Sequence, residues 1–286
     1  MTSSPTVLKR YIALELRRLR VSRGLRREQT AARLRSAVSH VTHLETMRNL
    51  PRAAELEVLL EFYGAAERTP EFLDLLDAAR GGRDWWSPFR GTEPDWFDLY
   101  LAMEASATRI ESYDALVVPG LLQTAGYAAA VIAAGQPALA TAELRRRVEL
   151  RLARQAVLDR RPDPPMVCCV LDESVLLRTP PAAALMVEQL RRLVALGRRA
   201  SVLVQVLPLS AGLHAGVNGG LTVLTFPPEL SGDPGVVYLD NPFRGTYCDN
   251  PGEVVAYRNT LARVRIAALD PDESRFRLVS RIKELT

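Results

Sequence analysis

The chain has 286 residues, 48% of them hydrophobic and 24% charged, with a formal net charge of +4. That length suggests about two domains, and the composition is that of a folded protein with a real core, which excludes a disordered or collagen-like chain. No apolar stretch near the N-terminus reaches the roughly 7–15 residues of a signal peptide. The longest apolar run, Tyr127 to Ala134, is too short to span a bilayer, so no membrane association is expected. The three cysteines, Cys168, Cys169 and Cys248, form no CxxC pair and no disulfide framework, and a reducing cytoplasm is the expected setting.

The charge is unevenly spread. Residues 1–52 hold 12 Lys/Arg against Glu15, Glu28 and Glu45, whereas residues 53–286 hold 25 Lys/Arg against 30 Asp/Glu. A basic head on an acidic body is the electrostatic footprint of a polyanion binder. The plain alternative is a solvated, arginine-rich helical surface.

In chain order, Leu8, Ile12, Leu16 and Leu19 recur at helical spacing and predict a helix over 7–22, stopped by Gly24. Short helices follow over Arg26–Leu34 and Val38–Glu45, with a break at Pro51. Leu56, Leu59, Leu60 and Tyr63 mark a fourth helix ending at Gly64, and a fifth runs from about Pro70 to Ala79. Five short helices that cannot bury their apolar faces alone predict an all-α domain over 1–80. Gly81-Gly82, Trp85-Trp86 and Pro94 mark a linker over 81–95. The remainder, 96–286, mixes periods. Helices are expected over Leu99–Ala107, Leu121–Ala134, Glu143–Asp159, Pro181–Gly197, Val254–Ala268 and Ser274–Lys283. Strands are expected at Val167–Leu171, Val202–Leu207, Leu221–Phe226 and Val236–Leu239. This region therefore reads as α+β with a small sheet. In the arginine-rich Glu143–Asp159 helix the apolar positions Leu144, Val148 and Leu152 share a face.

Helix, short helix, tight turn, short helix is the skeleton of a helix-turn-helix, whose third helix enters the major groove. The stretch ELRRLRVSRGLRREQTAARL, then VSHVTHLE and Pro51, resembles XRE-type, lambda-repressor-like helix-turn-helix regulators. The resemblance rests on Leu16, Arg17, Arg18, Leu19, Arg20, Gly24, Leu25, Ala31, Leu34, Ser39, Glu45 and Pro51. Several positions depart from that pattern. Arg26 replaces a capping Ser, Arg27 a Gln and Thr30 a core Leu. Arg35 and Met47 replace glycines, Ser36 takes an apolar position, and Ala37 takes the cap of the third helix. The candidate base-reading side chains are Arg27, Ser39, His40, Thr42 and His43. Arg17, Arg18, Arg20, Arg48 and Arg52 are candidate phosphate clamps. The expected partner is double-stranded DNA, bound by a homodimer with its third helices in successive grooves. The eroded turn and caps leave a second reading open, a head that has kept the fold and lost DNA reading. His40 and His43 lack the companions of a metal site, and no cofactor is expected.

Further along, ESYDALVVPGLLQTAGYAAAV, RRVELRLARQAVLDR, PPMVCCVLDESVLLR, VQVLPLSAGLHAGVNGGLTVLTF, VVYLD and ALDPDESRFRL occur in that order. Together they resemble the C-terminal domain of unknown function that follows an XRE head in many actinobacterial regulators. Those proteins are described as antitoxin-like and are often encoded beside a small partner protein. The resemblance implies a transcriptional regulator whose C-terminal domain senses a small molecule or holds a partner protein. Read from the residues, Gln123 and Tyr127 fall one turn apart on a helical face, as packing or as the lining of a groove. The glycine-rich segment LPLSAGLHAGVNGG joins two expected strands as a long hairpin loop, with His214 and Asn218 as a loop cap or a ligand mouth. Cys168 and Cys169 are expected to face opposite sides of a strand. Asp172, Glu173 and Asp240 sit at strand ends. The candidate ligand-binding set is Tyr113, Gln123, Tyr127, His214, Asn218 and Asp240. No Ser-His-Asp or Cys-His arrangement and no nucleotide-binding glycine motif accompanies it. A repurposed scaffold with a catalytic pocket, using His214, Tyr113, Gln123, Asp240 and Cys248, is the alternative function.

Overall fold

The structure is a computed structural model that describes residues 3–178, 180, 182–241 and 244–286. The chain divides into two compact units: Met1–Ser87 with Pro227–Asp233, and Pro88–Phe226 with Pro234–Thr286. The first is all-α and the second is built on a mixed sheet, as the sequence patterns predict.

The first unit contains α1 (Pro5–Ser22), α2 (Arg27–Arg33), α3 (Val38–Glu45), α4 (Ala53–Phe62) and α5 (Thr69–Gly81). Ser4 caps α1 by accepting from the Val7 amide, with Pro5 in the first turn. Leu8, Ile12, Leu16, Leu44, Leu56, Leu60 and Phe72 form the core. Through it runs a buried charge cluster. The Glu45 carboxylate accepts from the Arg20 Nε and Nη2 and from the Arg27 Nε, the last at 2.8 Å. Arg20 is itself buried, so the clamp role expected for it is replaced by a structural one. Residues 227–233 complete this unit: Asp233 pairs with Arg10, and the Tyr11 hydroxyl donates to the Ser231 carbonyl at 2.9 Å.

The departures from the regulator pattern have local consequences. Neither Arg26 nor Ala37 caps its helix with a side chain. At the N-terminus of α2 the Gln29 side chain instead accepts from the Arg26 amide at 2.8 Å. Arg35 and Met47 adopt φ of 50° and 64°, the left-handed region their replaced glycines occupy without strain. Thr30 is fully buried and accepts from the Tyr63 hydroxyl. The Ser36 hydroxyl is buried without a partner among the described residues.

The second unit opens with α6 (Asp95–Ser106), then β1 (Arg109–Asp114), α7 (Ala125–Gly135), α8 (Thr141–Arg154) and β2 (Met166–Asp172). It continues with α9 (Glu173–Leu177), α10 (Ala183–Leu196), β3 (Val202–Leu207), β4 (Leu221–Thr225), β5 (Val236–Leu239) and β6 (Thr246–Cys248). It closes with α11 (Pro251–Ala267) and α12 (Pro271–Leu285). The strand order is β3-β2-β1-β4-β5-β6. β1, β2 and β3 are parallel, and β4, β5 and β6 continue antiparallel. α11 covers one face through Val254, Leu261 and Val264 against Tyr113, Val170, Val223 and Val237. α6 lies on the other, where Tyr100 meets Tyr238 at 4.4 Å between ring centroids. With both faces covered, β2 is a continuous buried run.

Several expectations are corrected here. β1 and β6 lack an apolar run and escape the sequence pattern, although β1 sits inside the sheet. The expected helix 121–134 begins at Ala125, because Thr124 caps it and residues 120–122 form a separate 3-10 turn. Gln123 is therefore extended and does not share a helical face with Tyr127. The expected helix 143–159 ends at Arg154 and passes into a 3-10 turn. Its buried face carries Leu150 and Arg154, while Leu152 is exposed. Because β3 and β4 are not neighbours, the segment 208–220 crosses the sheet end and is no hairpin loop. Pro181, the expected start of the following helix, lies outside the described residues.

Two stability outcomes follow. Glu45→Ala leaves two arginines without their carboxylate and should lower stability by about 3 kcal/mol in chemical denaturation. Arg35→Gly and Ser36→Ala should each raise it, by about 1 kcal/mol, through relief of the left-handed backbone and of the orphaned hydroxyl.

Candidate functional site

Two surfaces carry the candidate residues, one in each unit. In the first, α3 turns Val41 and Leu44 into the core and leaves Val38 and Ser39 exposed, with Thr42 and His43 half-buried beside them. Arg17, Arg48 and Arg52 are exposed, and Arg18 donates to Glu15 at 2.7 Å. Three of the candidate readers are internally engaged. Arg27 holds Glu45, the His40 Nε2 lies 3.1 Å from Glu55, and the Thr42 hydroxyl donates to the Val38 carbonyl. Ser39 and His43 remain the least encumbered members of the set.

In the second unit the pleat of the sheet separates the candidate ligand residues. Tyr113 points towards α11 and its hydroxyl donates to Asp172 at 3.2 Å. His214 stands edge-on to the Tyr113 ring, 5.5 Å between centroids, and its Nδ1 accepts from the Gly216 amide. That acceptor role leaves the proton on Nε2, which faces the Tyr113 hydroxyl at 3.5 Å. A Cβ at Gly216 would fall 2.5 Å from the Tyr113 ring, so the 208–220 segment closes over Tyr113 only with glycine there. Asn218 is exposed in that segment. Tyr127 is buried and accepts from the Val118 amide.

Gln123 and Asp240 belong to a different place. Where β1 and β5 end and β4 begins, a cleft of about 570 Å³ opens between Trp96, Asp114, Val117, Ile132, Arg151 and Asp240. This is the size of a small-molecule site. Gln123 lines an adjoining cavity that shares Asp114, Val117, Arg151 and Asp240 with the cleft. The Gln123 side chain donates to the Val118 carbonyl at 2.6 Å and accepts from Arg151 at 3.0 Å. Asp240 accepts from the Tyr238 hydroxyl. Arg154 is buried in a two-pronged pair with Glu104, both contacts 2.8 Å, and packs over the Phe97 and Tyr100 rings. Burial, reinforced by the neighbouring Arg154 charge, pushes the Arg151 guanidinium down to about 10. Asp114 accepts from the Ser112 hydroxyl at 2.7 Å, with the Cys169 thiol nearby on the same face. Burial pushes its carboxyl up to about 7. Cys168 lies on the opposite face, beside Arg109, Glu111 and Arg265. Burial raises both thiols, which makes them poor nucleophiles. Among the described residues no group of three or more His, Cys, Asp or Glu is arranged to hold a metal.

Sequence reasoning missed Asp114, Glu104 and Arg151. The available signal was the spacing of Arg147, Arg151 and Arg154, which places all three on one helical face. The Asp114 carboxyl also makes a pH prediction. Between about pH 4 and 7 the unfolded chain is ionised at this residue while the folded protein keeps the proton, so stability falls across that window and levels off above it. Asp114→Asn retains an acceptor for Ser112 and should abolish that slope. Its melting temperature should gain on the parent's from pH 4 to pH 7, as thermal unfolding across pH would record.

Comparison with known families places both halves. A family described as a helix-turn-helix domain matches residues 12–72. A family described as a domain of unknown function, DUF5753, matches residues 97–280. No curated protein and no solved structure matches the chain. No helix among the described residues is long and apolar enough to cross a membrane. The chain thus pairs a helix-turn-helix with a C-terminal domain of unknown function, the arrangement of XRE-type regulators. With the second match covering more than half its length, including the sheet and most of the strand-end cleft, the chain belongs to the DUF5753 family.

Proposed function

We propose that the protein is a DNA-binding transcriptional regulator whose C-terminal unit senses a small molecule in the strand-end cleft. The observation that carries the DNA half is the solvent-facing side of α3, with Ser39 and His43 on it and Arg17, Arg48 and Arg52 exposed in the same unit. In this reading Ser39, Thr42, His43 and Arg27 meet base edges, and Arg17, Arg18, Arg48 and Arg52 grip phosphates. Two protomers place their α3 helices one helical turn of DNA apart, so the bound sequence is palindromic. The cleft supports the sensing half because it combines apolar walls with half-buried ionisable groups. A small partner protein is the other occupant in keeping with the antitoxin-like resemblance.

A second reading has its own observation. Arg27 and His40 are bonded to the molecule's own carboxylates, Glu45 and Glu55. A head so neutralised keeps its fold without reading sequence, and the C-terminal unit then carries the whole function.

Selection of bound sequences from random duplex DNA by the full-length protein separates the two. The regulator reading expects an enriched palindrome, lost when Ser39, Thr42 and His43 are changed to Ala. Binding to that palindrome should weaken steeply with salt, and Arg17→Ala with Arg48→Ala should flatten the log–log salt slope by about 2. No enrichment by the parent protein would discard the regulator reading.

A further inference from the structure

Among the ionisable side chains of the cleft, Arg151 and Asp114 are the half-buried ones with no opposite charge within ion-pair distance among the described residues; Asp240, also without an ion pair, is exposed. Among the described residues no carboxylate lies within ion-pair distance of the Arg151 guanidinium, whose hydrogen bond goes to the neutral Gln123 amide. Its neighbours are satisfied: Arg147 pairs with Glu93 and Glu143, and Arg154 with Glu104. Asp240 and Glu93 favour the Arg151 charge only from beyond that distance. In the same cleft, Asp114 accepts from a hydroxyl and a thiol, with no Lys, Arg or His beside it among the described residues. A cation and a carboxyl withdrawn even half-way from water are each costly when unpaired. Between them the wall is apolar: Val131 and Ile132 come from α7, and Leu116 and Val117 stand exposed at the mouth.

We propose that this cleft binds a zwitterionic small molecule with an apolar body, holding its acidic group on Arg151 and its ammonium on Asp114. The body lies along Val117, Val131 and Ile132. The volume, about 570 Å³, suits an apolar dipeptide or an amino-acid derivative of that size. A cation and a carboxyl lining the same cleft select a ligand carrying both charges and disfavour one with either charge alone. Gln123 accepts from the guanidinium, so the remaining Arg151 donors are oriented before the ligand enters. The inference rests on the sensing half of the proposed function and gives it a ligand class.

The test is ligand-observed saturation-transfer NMR on the full-length protein with a pool of apolar dipeptides, leucyl-leucine, valyl-phenylalanine and leucyl-tyrosine, each also in N-acetylated and C-amidated form. The free zwitterions should bind and the blocked forms should bind at least about tenfold more weakly. Arg151→Gln should weaken the zwitterions by a similar factor and leave the amides unchanged, and Arg151→Lys should recover part of the loss. Asp114→Asn should weaken the zwitterions and leave the N-acetylated forms unchanged. A melting curve for each variant confirms that it is folded. No signal from the zwitterions on the parent protein, or equal binding of zwitterionic and blocked forms, overturns the proposal. DNA selection reports separately on the regulator reading. If a zwitterion binds and leaves DNA affinity unchanged, the ligand class stands and the sensing role falls.

Discussion

An arginine can be buried only where its five donors and its charge are answered, and the second unit is organised around one such answer. Arg154 sits against Glu104 with two matched hydrogen bonds and packs over the rings of Phe97 and Tyr100. The pair joins α8 to α6 and fixes the rotation of α8 about its own axis. Once Arg154 is turned inward, Arg151, three residues earlier, must lie on the same side of the helix. The cleft inherits its cation from that geometry. An apolar residue in place of Arg154 would pack α6 as well, but it would lose the constraint that aims Arg151.

The pleat of β1 supplies the complementary constraint. Tyr113 and Asp114 are adjacent in sequence and face opposite sides of the sheet. Tyr113 joins the core under α11 and is closed over by His214, whereas Asp114 opens to the cleft. The residues proposed from sequence as a single ligand set are thus parted: Tyr127 is buried in the core and the others have two different surroundings. The Tyr113–His214–Asp172 group locks the crossing segment 208–220, and the Gln123–Arg151–Asp240 group, with Asp114, forms the cleft and the cavity adjoining it.

In the helical unit the same electrostatic logic tempers the net charge. Of the 12 basic residues in the first 52, Arg10, Arg18, Arg20, Arg27 and Arg33 hold carboxylates. Some of the positive charge that marks this region as a polyanion binder is therefore spent inside it, on Glu45 above all. Arg17, Arg48 and Arg52, the clamp candidates that hold no carboxylate, are exposed, as are Arg23, Arg26 and Arg35.

What was legible in the sequence is what local physics controls. Heptad-like spacing of leucines, the glycines at Gly24 and Gly64, and Pro51 mark the five helices of the first unit, and the left-handed strain at Arg35 is readable from the missing glycine. Apolar runs between turn residues mark β2, β3, β4 and β5. The opposite facing of Cys168 and Cys169 follows from strand alternation alone. Other features were decided only by tertiary structure. β1 reads as polar because Arg109 and Glu111 pair with each other and Glu111 also meets Arg265, compensation by residues far away in the chain. α8 reads as an amphipathic helix with a leucine face because periodicity cannot reveal that Glu104, 50 residues away, awaits its arginine. Strand order, and with it the meeting of Asp114, Gln123, Arg151 and Asp240 at one sheet end, depends on long-range pairing that no local pattern encodes.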